Sequence, residues 1–304
     1  MSRRFSLATA ARTSDHSGTA PRDAKLLRLE VIRPQASPAA RLSDSWYLDP
    51  LVARQKADIN RACVRRWAAE SARGVVLKTD LFEEANGEDH ILGDLAVDGS
   101  RVVGMDCLPS TVARAAQRFR APGVDLTVAD LSSLNFADAA FDLIVSTSTL
   151  DHFDGRAEFV EALAELNRVL RPGGRMILIL DNPLNPAYLP LKWICRWLAP
   201  YQLGYATSRR NFCAALRAMG LEVLGSDYVI HNPRMFSTAL FLVLRRTLGS
   251  RADRLIGVLL RGFDSLGKLP TRGFTACFSA VCVRKAAAHQ AGKASATALG
   301  RAAS

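Results

Sequence analysis

Several common features are missing from this 304-residue chain. Its six cysteines, at 63, 107, 195, 213, 277 and 282, form no CxxC pair, and no histidine stands at metal-ligand spacing. That argues against a zinc ribbon or a disulfide-stapled scaffold and fits reduced thiols in the cytosol. No run reaches the ~18 apolar residues that span a bilayer. The longest, Phe236 to Leu244, stops at Arg245 and Arg246. Helix-turn-helix, zinc-finger and aromatic RNA-binding signatures are absent, so nucleic acid is a poor candidate partner despite a net charge of +11. A glycine-rich turn is missing as well. The first buried run, Val75-Val76-Leu77, leads into Lys-Thr-Asp-Leu-Phe-Glu-Glu, where a nucleotide-binding α/β protein normally turns on glycines.

What is present is an α/β pattern. Residues 1–45 read as a basic disordered tail without the apolar core of a secretory signal, and 286–304 as an Ala-rich one. Between them, 46–285 reads as one domain. Asp49 and Pro50 suit the cap and first turn of a helix over about 49–72, and Gly74 marks its exit. Strands are predicted at 75–79, 101–106, 124–130, 141–148 and 175–181, the last entered through the turn Arg171-Pro172-Gly173-Gly174. Helices fall between them over about 109–119 and 155–170. A further helix is expected at 210–220, a sixth strand at 221–230 and a last strand at 274–285. The expected fold is a doubly wound, Rossmann-like sheet of seven mostly parallel strands, covered by helices on both faces. Insertions at 183–208 and 232–272 add a helical cap.

In such sheets ligands bind at the carboxyl ends of the strands. Asp106 ends strand two, and a carboxylate there can accept from a ribose diol. Asp130 ends strand three, followed by Leu131. The succession RVVGMD, TVADLSSLNFADAAFDLIVSTSTLDHF and ELNRVLRPGGRMILILDNP resembles the class I S-adenosylmethionine-dependent methyltransferases of the small-molecule and lipid-quinone type. The resemblance implies S-adenosylmethionine as cofactor. Asp106 then matches the ribose-binding acid, Asp130 with Leu131 the adenine-binding pair, and Ser146 to Thr149 the strand end beside the transferable methyl. The stretch after strand one departs from the family's glycine loop. Either its side chains replace the missing backbone contacts, or the domain has lost its cofactor. In the first case Lys78 and Thr79 face the cofactor's carboxylate, and Asp80 or Glu83 its amine.

His152 is the candidate general base, with Asp151 as its partner, for an acceptor that is a weakly acidic hydroxyl or an ammonium group. Capping or packing of the next helix is the alternative use of His152. Asn182, Asn185 and Trp193 are expected to line a substrate pocket. Apolar runs between Arg234, Arg245, Arg246, Arg251, Arg254, Arg261, Lys268 and Arg272, with Trp193, Trp197, Tyr201 and Tyr205 nearby, suit either a cap or an anionic membrane surface. The expectation is a cytosolic or membrane-peripheral enzyme acting on a small or lipid-like acceptor. A non-catalytic binding or regulatory protein on the same fold is the alternative.

Overall fold

The computed structural model describes residues 49–87, 91–96, 99–198 and 203–287. The two expected tails therefore lie outside the described residues, apart from 286 and 287. In chain order the elements begin with α1 (Pro50–Trp67), β1 (Val75–Thr79), α2 (Phe82–Asn86), α3 (Ile91–Leu95), β2 (Arg101–Asp106) and α4 (Pro109–Arg118). They continue with β3 (Val124–Val128), β4 (Phe141–Thr147), α5 (Arg156–Val169), β5 (Leu170–Asp181), α6 (Tyr188–Leu198) and α7 (Arg209–Ala218). The chain then forms β6 (Leu221–Val229), α8 (Arg234–Leu248), α9 (Ala252–Leu266), α10 (Arg272–Thr275) and β7 (Phe278–Lys285).

The seven strands form one sheet in the order β3-β2-β1-β4-β5-β7-β6. Strands β1 to β5 run parallel, and β7 is antiparallel to both β5 and β6. Successive strand residues point to opposite faces, and both faces are covered. Leu77, Val103, Ile144 and Leu178 pack with Phe159 and Leu163 of α5 and Phe212 of α7. Val76, Val102, Val145 and Ile177 pack on the other face with Ala57 and Trp67 of α1 and Val112 of α4.

Several expected boundaries shift, four of them with consequences for the fold. β3 ends at Val128, so Asp130 lies in the following turn, where its Oδ1 accepts from the Ser132 amide at 2.9 Å. β5 begins at Leu170 and takes in the Arg-Pro-Gly-Gly turn, with a break in register opposite Phe141 and Leu143. The helix expected over 49–72 stops at Trp67 and continues as a 3₁₀ turn over Ala69–Arg73. The last strand starts four residues late, because 272–275 coil into α10. Both insertions carry helices, α6 in the first and α8 with α9 in the second.

α8 and α9 dock on α1. Phe241, Ile256 and Leu260 pack against Leu51 and Val52. Asp49 caps α1 by accepting from the Leu51 and Val52 amides, and its carboxylate also pairs with Arg245 of α8 at 2.6 Å. Gln55 donates to Asp264 of α9 at 2.6 Å. The N-terminal helix and the C-terminal cap thus form one lid.

Candidate functional site

The carboxyl ends of β1, β2, β3 and β4 border one cavity of about 540 Å³. Residues at or just beyond these ends line it: Asp80, Asp106, Asp130 with Leu131, and Ser148 with Thr149 and His152. Val52, Ala53 and Lys56 close it from α1, and Ile230, Thr238 and Phe278 from the C-terminal part. Much of the lining is apolar, with its acids concentrated at the strand ends.

The turn after β1 is built without glycine. Asp80 takes the left-handed conformation at φ 71°, which Asp tolerates better than most residues. Its Oδ1 accepts from the Phe82 amide at 2.7 Å and closes an Asx turn. Burial, helped by the Asp106 charge, pushes the Asp80 acid up to about 6, against the pull of Lys78 and the Phe82 amide. Lys78 is buried at 2% exposure and does not line the cavity. Its Nζ donates to the Asp80 carbonyl at 2.5 Å and to Glu84 at 2.9 Å. Leu81 fills space that Gly104 leaves open: a Cβ at 104 would stand 2.8 Å from the Leu81 side chain. Asp106 ties this turn to β2, its Oδ2 accepting from the Leu81 amide at 3.1 Å and its Oδ1 from Leu108 at 2.8 Å. Both oxygens keep a second lone pair for a ligand.

At β4 three hydroxyls form a chain. Thr79 donates to Ser146 at 2.9 Å, and its oxygen lies 2.7 Å from that of Thr149. Thr79 and Ser146 are therefore one layer behind the wall, and Thr149 is the member that reaches it. Ser148 is a second non-glycine residue at positive φ, 57°. It is 8% exposed, lines the cavity, and its hydroxyl has no hydrogen-bond partner among the described residues. His152 is exposed and also lines the cavity. Asp151 does not: it is buried, and its Oδ2 accepts from the Asp181 amide at 3.1 Å.

The first insertion clamps this turn. The amides of Gly204 and Tyr205 donate to the carbonyls of Asp151 and Phe153 at 2.8 and 2.6 Å. Only a glycine fits at 204, because a Cβ would come within 2.3 Å of the Phe153 carbonyl. The residues expected to line a substrate pocket do other work. Asn182 donates to the carbonyls of Gly273 and Ala276, and Asn185 to those of Thr275 and Ala276. Both pin the approach to β7 and border only a minor cleft. Trp193 is 69% exposed on α6, away from the main cavity. Among the described residues no cluster of three or more His, Cys, Asp or Glu could hold a metal ion.

Residues 83–178 match the family model for a methyltransferase domain. Over this span the chain is similar to S-adenosylmethionine-dependent methyltransferases.

It is 33% identical over 117 residues to a Mycolicibacterium smegmatis protein named as a probable S-adenosylmethionine-dependent methyltransferase, and 37% identical over 102 residues to a demethylmenaquinone methyltransferase of Thermus thermophilus. These matches take in 35% and 31% of this chain and 44% of each relative, so the chain spans less than half the length of the relatives it matches. The solved phosphoethanolamine N-methyltransferase 2 of Haemonchus contortus, in complex with S-adenosyl-L-methionine, shares the fold. The TM-score is 0.52 at 14% identity, over 75% of this chain and 52% of that one. The matched span begins at residue 83, just past the Asx turn that stands where a glycine-rich turn was expected. What the sequence did not expose is the contribution of α1. Val52, Ala53 and Lys56 read there as positions on an ordinary amphipathic helix, and no motif marks that helix as a wall of the cavity.

Proposed function

We propose that the chain transfers a methyl group from S-adenosylmethionine to a small or lipid-like acceptor. The observation that carries this is the cavity itself: a largely apolar space at the carboxyl ends of β1 to β4, with Asp106 held in its wall by two backbone amides. The residues present fit the cofactor. Asp106 would accept from a ribose diol through its remaining lone pairs, Asp130 would accept from the adenine amine, and the Leu131 amide would serve a ring nitrogen. When bound, the cofactor supplies an electrophilic methyl on a sulfonium. The chain contributes position and dryness: the lid of α1, α8 and α9 keeps water out, and the apolar wall accepts an apolar substrate. His152 takes the proton if the acceptor is a hydroxyl or ammonium group, and Ser148 offers it a hydrogen bond. Asp80 and Glu83 serve the cofactor directly. Lys78, Thr79 and Ser146 support it from behind the wall.

A lipid-like acceptor agrees with the outer surface. Phe236, Leu240 and Val243 form one stripe on α8, 54%, 45% and 59% exposed, and Leu189 and Trp193 project from α6. Tyr188 and Leu191 of α6 share a small cleft with Phe236, so the two helices adjoin. Exposed Arg246, Arg251, Arg254 and Arg261 add positive charge on α8, the turn after it and α9. Such a mixture favours an anionic membrane surface. Arg245 is spent on Asp49 and Asp253, so it belongs to the lid and not to this surface. Among the described residues no helix is long and apolar enough to cross a membrane.

Calorimetry with S-adenosylhomocysteine tests the cofactor, and transfer of labelled methyl to lipid extract tests the reaction. Binding and transfer are expected. Binding without transfer to any extract would favour the non-catalytic alternative. Sedimentation with vesicles containing phosphatidylglycerol should carry the protein down at low salt, and Arg246→Glu with Arg254→Glu should release it.

A further inference from the structure

We infer that Lys56 and Glu83 form the receptor for the amino-acid end of the cofactor, Lys56 facing its carboxylate and Glu83 its ammonium group. This rests on the methyl-transfer reading above. S-adenosylmethionine has three ends with different chemistry: a nucleoside, a methyl and an amino-acid zwitterion. The cavity's polar groups divide accordingly. Asp106 stands at the end of β2 and Asp130 past β3, and Ser148, Thr149 and His152 past β4. Between them, past β1, lie Asp80, Glu83 and, across from α1, Lys56.

A carboxylate entering this cavity meets Asp80, Glu83, Asp106 and Asp130 in its wall and needs a cation. Lys56 is the only Lys or Arg among the described residues that line it. Lys78, next to the turn in sequence, is buried against Glu84 and cannot serve. Lys56 is held 2.5 Å from Glu83, with the two side chains 22% and 16% exposed. A zwitterion set against such a pair replaces one ion pair by two, each a charge-assisted hydrogen bond, and leaves no charge uncompensated. In this chain a helix from outside the sheet thus supplies what glycine amides supply elsewhere. Lys56 also makes α1 part of the cofactor site: ligand, α1 and the C-terminal cap engage together through Asp49 and Arg245.

The test compares two ligands on three chains. S-adenosylhomocysteine carries the amino-acid end, and methylthioadenosine has the same nucleoside without it. The native chain should bind the first more tightly. Lys56→Met, which keeps the packing stem, and Glu83→Gln should each weaken the first by about tenfold or more, the scale of a lost charged hydrogen bond. Both should leave methylthioadenosine unchanged. Equal losses for the two ligands, or none for S-adenosylhomocysteine, would overturn the inference. Should a variant fail to fold, the native chain still decides: equal affinities for the two ligands overturn it. If the native chain binds neither, the methyl-transfer reading itself falls and takes the inference with it.

Discussion

Asp106 and Asp181 look alike in the sequence, each an acid closing a short apolar strand, yet they end in opposite situations. Asp106 borders the cavity, its oxygens turned to the amides of the neighbouring turns. Asp181 is 1% exposed. The cause is strand direction. β1 to β4 run parallel, so their carboxyl ends open on one side and the chain departs from each into a turn or helix. β5 instead pairs with an antiparallel neighbour that begins where β5 stops, Asp181 standing opposite Phe278. The chain arriving at β7 covers the end of β5, and Asn182 and Asn185 fasten it there. A polar residue at a strand end faces a ligand only where topology leaves that end uncovered.

The largest effect should come from the turn after β1, which side chains hold together in place of glycine. Lys78 and Glu84 form a pair exposed by 2% and 0%. Glu84→Leu alone strands a buried ammonium group and should cost about 3–5 kcal/mol in urea unfolding. Lys78→Met combined with Glu84→Leu should recover most of that loss, because a matched apolar pair leaves no buried charge. If Glu84→Leu costs under about 1 kcal/mol, the value expected of an exposed pair, the turn is held by something else.

Next comes the comparison between strand ends. Asp106→Ala should weaken S-adenosylhomocysteine binding by about 1–3 kcal/mol, as loss of hydrogen bonds to a charged group does. Asn182→Ala should leave that affinity unchanged and lower stability instead, by about 1–3 kcal/mol, since the Gly273 carbonyl loses its Asn182 donor and the Ala276 carbonyl keeps only Asn185. The reverse pattern, with Asn182 controlling affinity, would show that the covered end of β5 takes part in the site after all.

The fold was legible because each signal for it is local. The β1 and β2 boundaries follow from short apolar runs between turn residues, and the seven-stranded sheet agrees with the expected one. Asp106, Asp130, Leu131 and His152 were legible as cavity residues because a strand end fixes which way the next residue faces. Lys78, Asn182 and Asn185 were not. A polar side chain near a site binds ligand or protein according to its nearest partner, and that partner here is Glu84 or a carbonyl more than 85 residues away in sequence. Lys56 was missed for the converse reason. The tertiary docking of α1 brings it to the cavity, and nothing within its own helix distinguishes it from a solvated lysine.

Asp80 offers the smallest and most selective test, because it is a turn residue and a cavity acid at once. Its acid is pushed up from 3.8 to about 6. Between those values the folded chain holds a proton that the unfolded chain releases, so this group's contribution to stability falls as pH rises through that window and stays low above it. Asp80→Asn preserves both the acceptor for the Phe82 amide and the tolerance of positive φ, and removes only the titration. The variant should therefore gain on the native chain between pH 4 and pH 7 by on the order of 1 kcal/mol, after allowance for solvent in the cavity. Urea midpoints at several pH values read this directly. Parallel profiles for the two chains would mean that the Asp80 carboxylate is solvated as freely as a surface acid, and that the turn after β1 stands open to water where Asp181 is sealed.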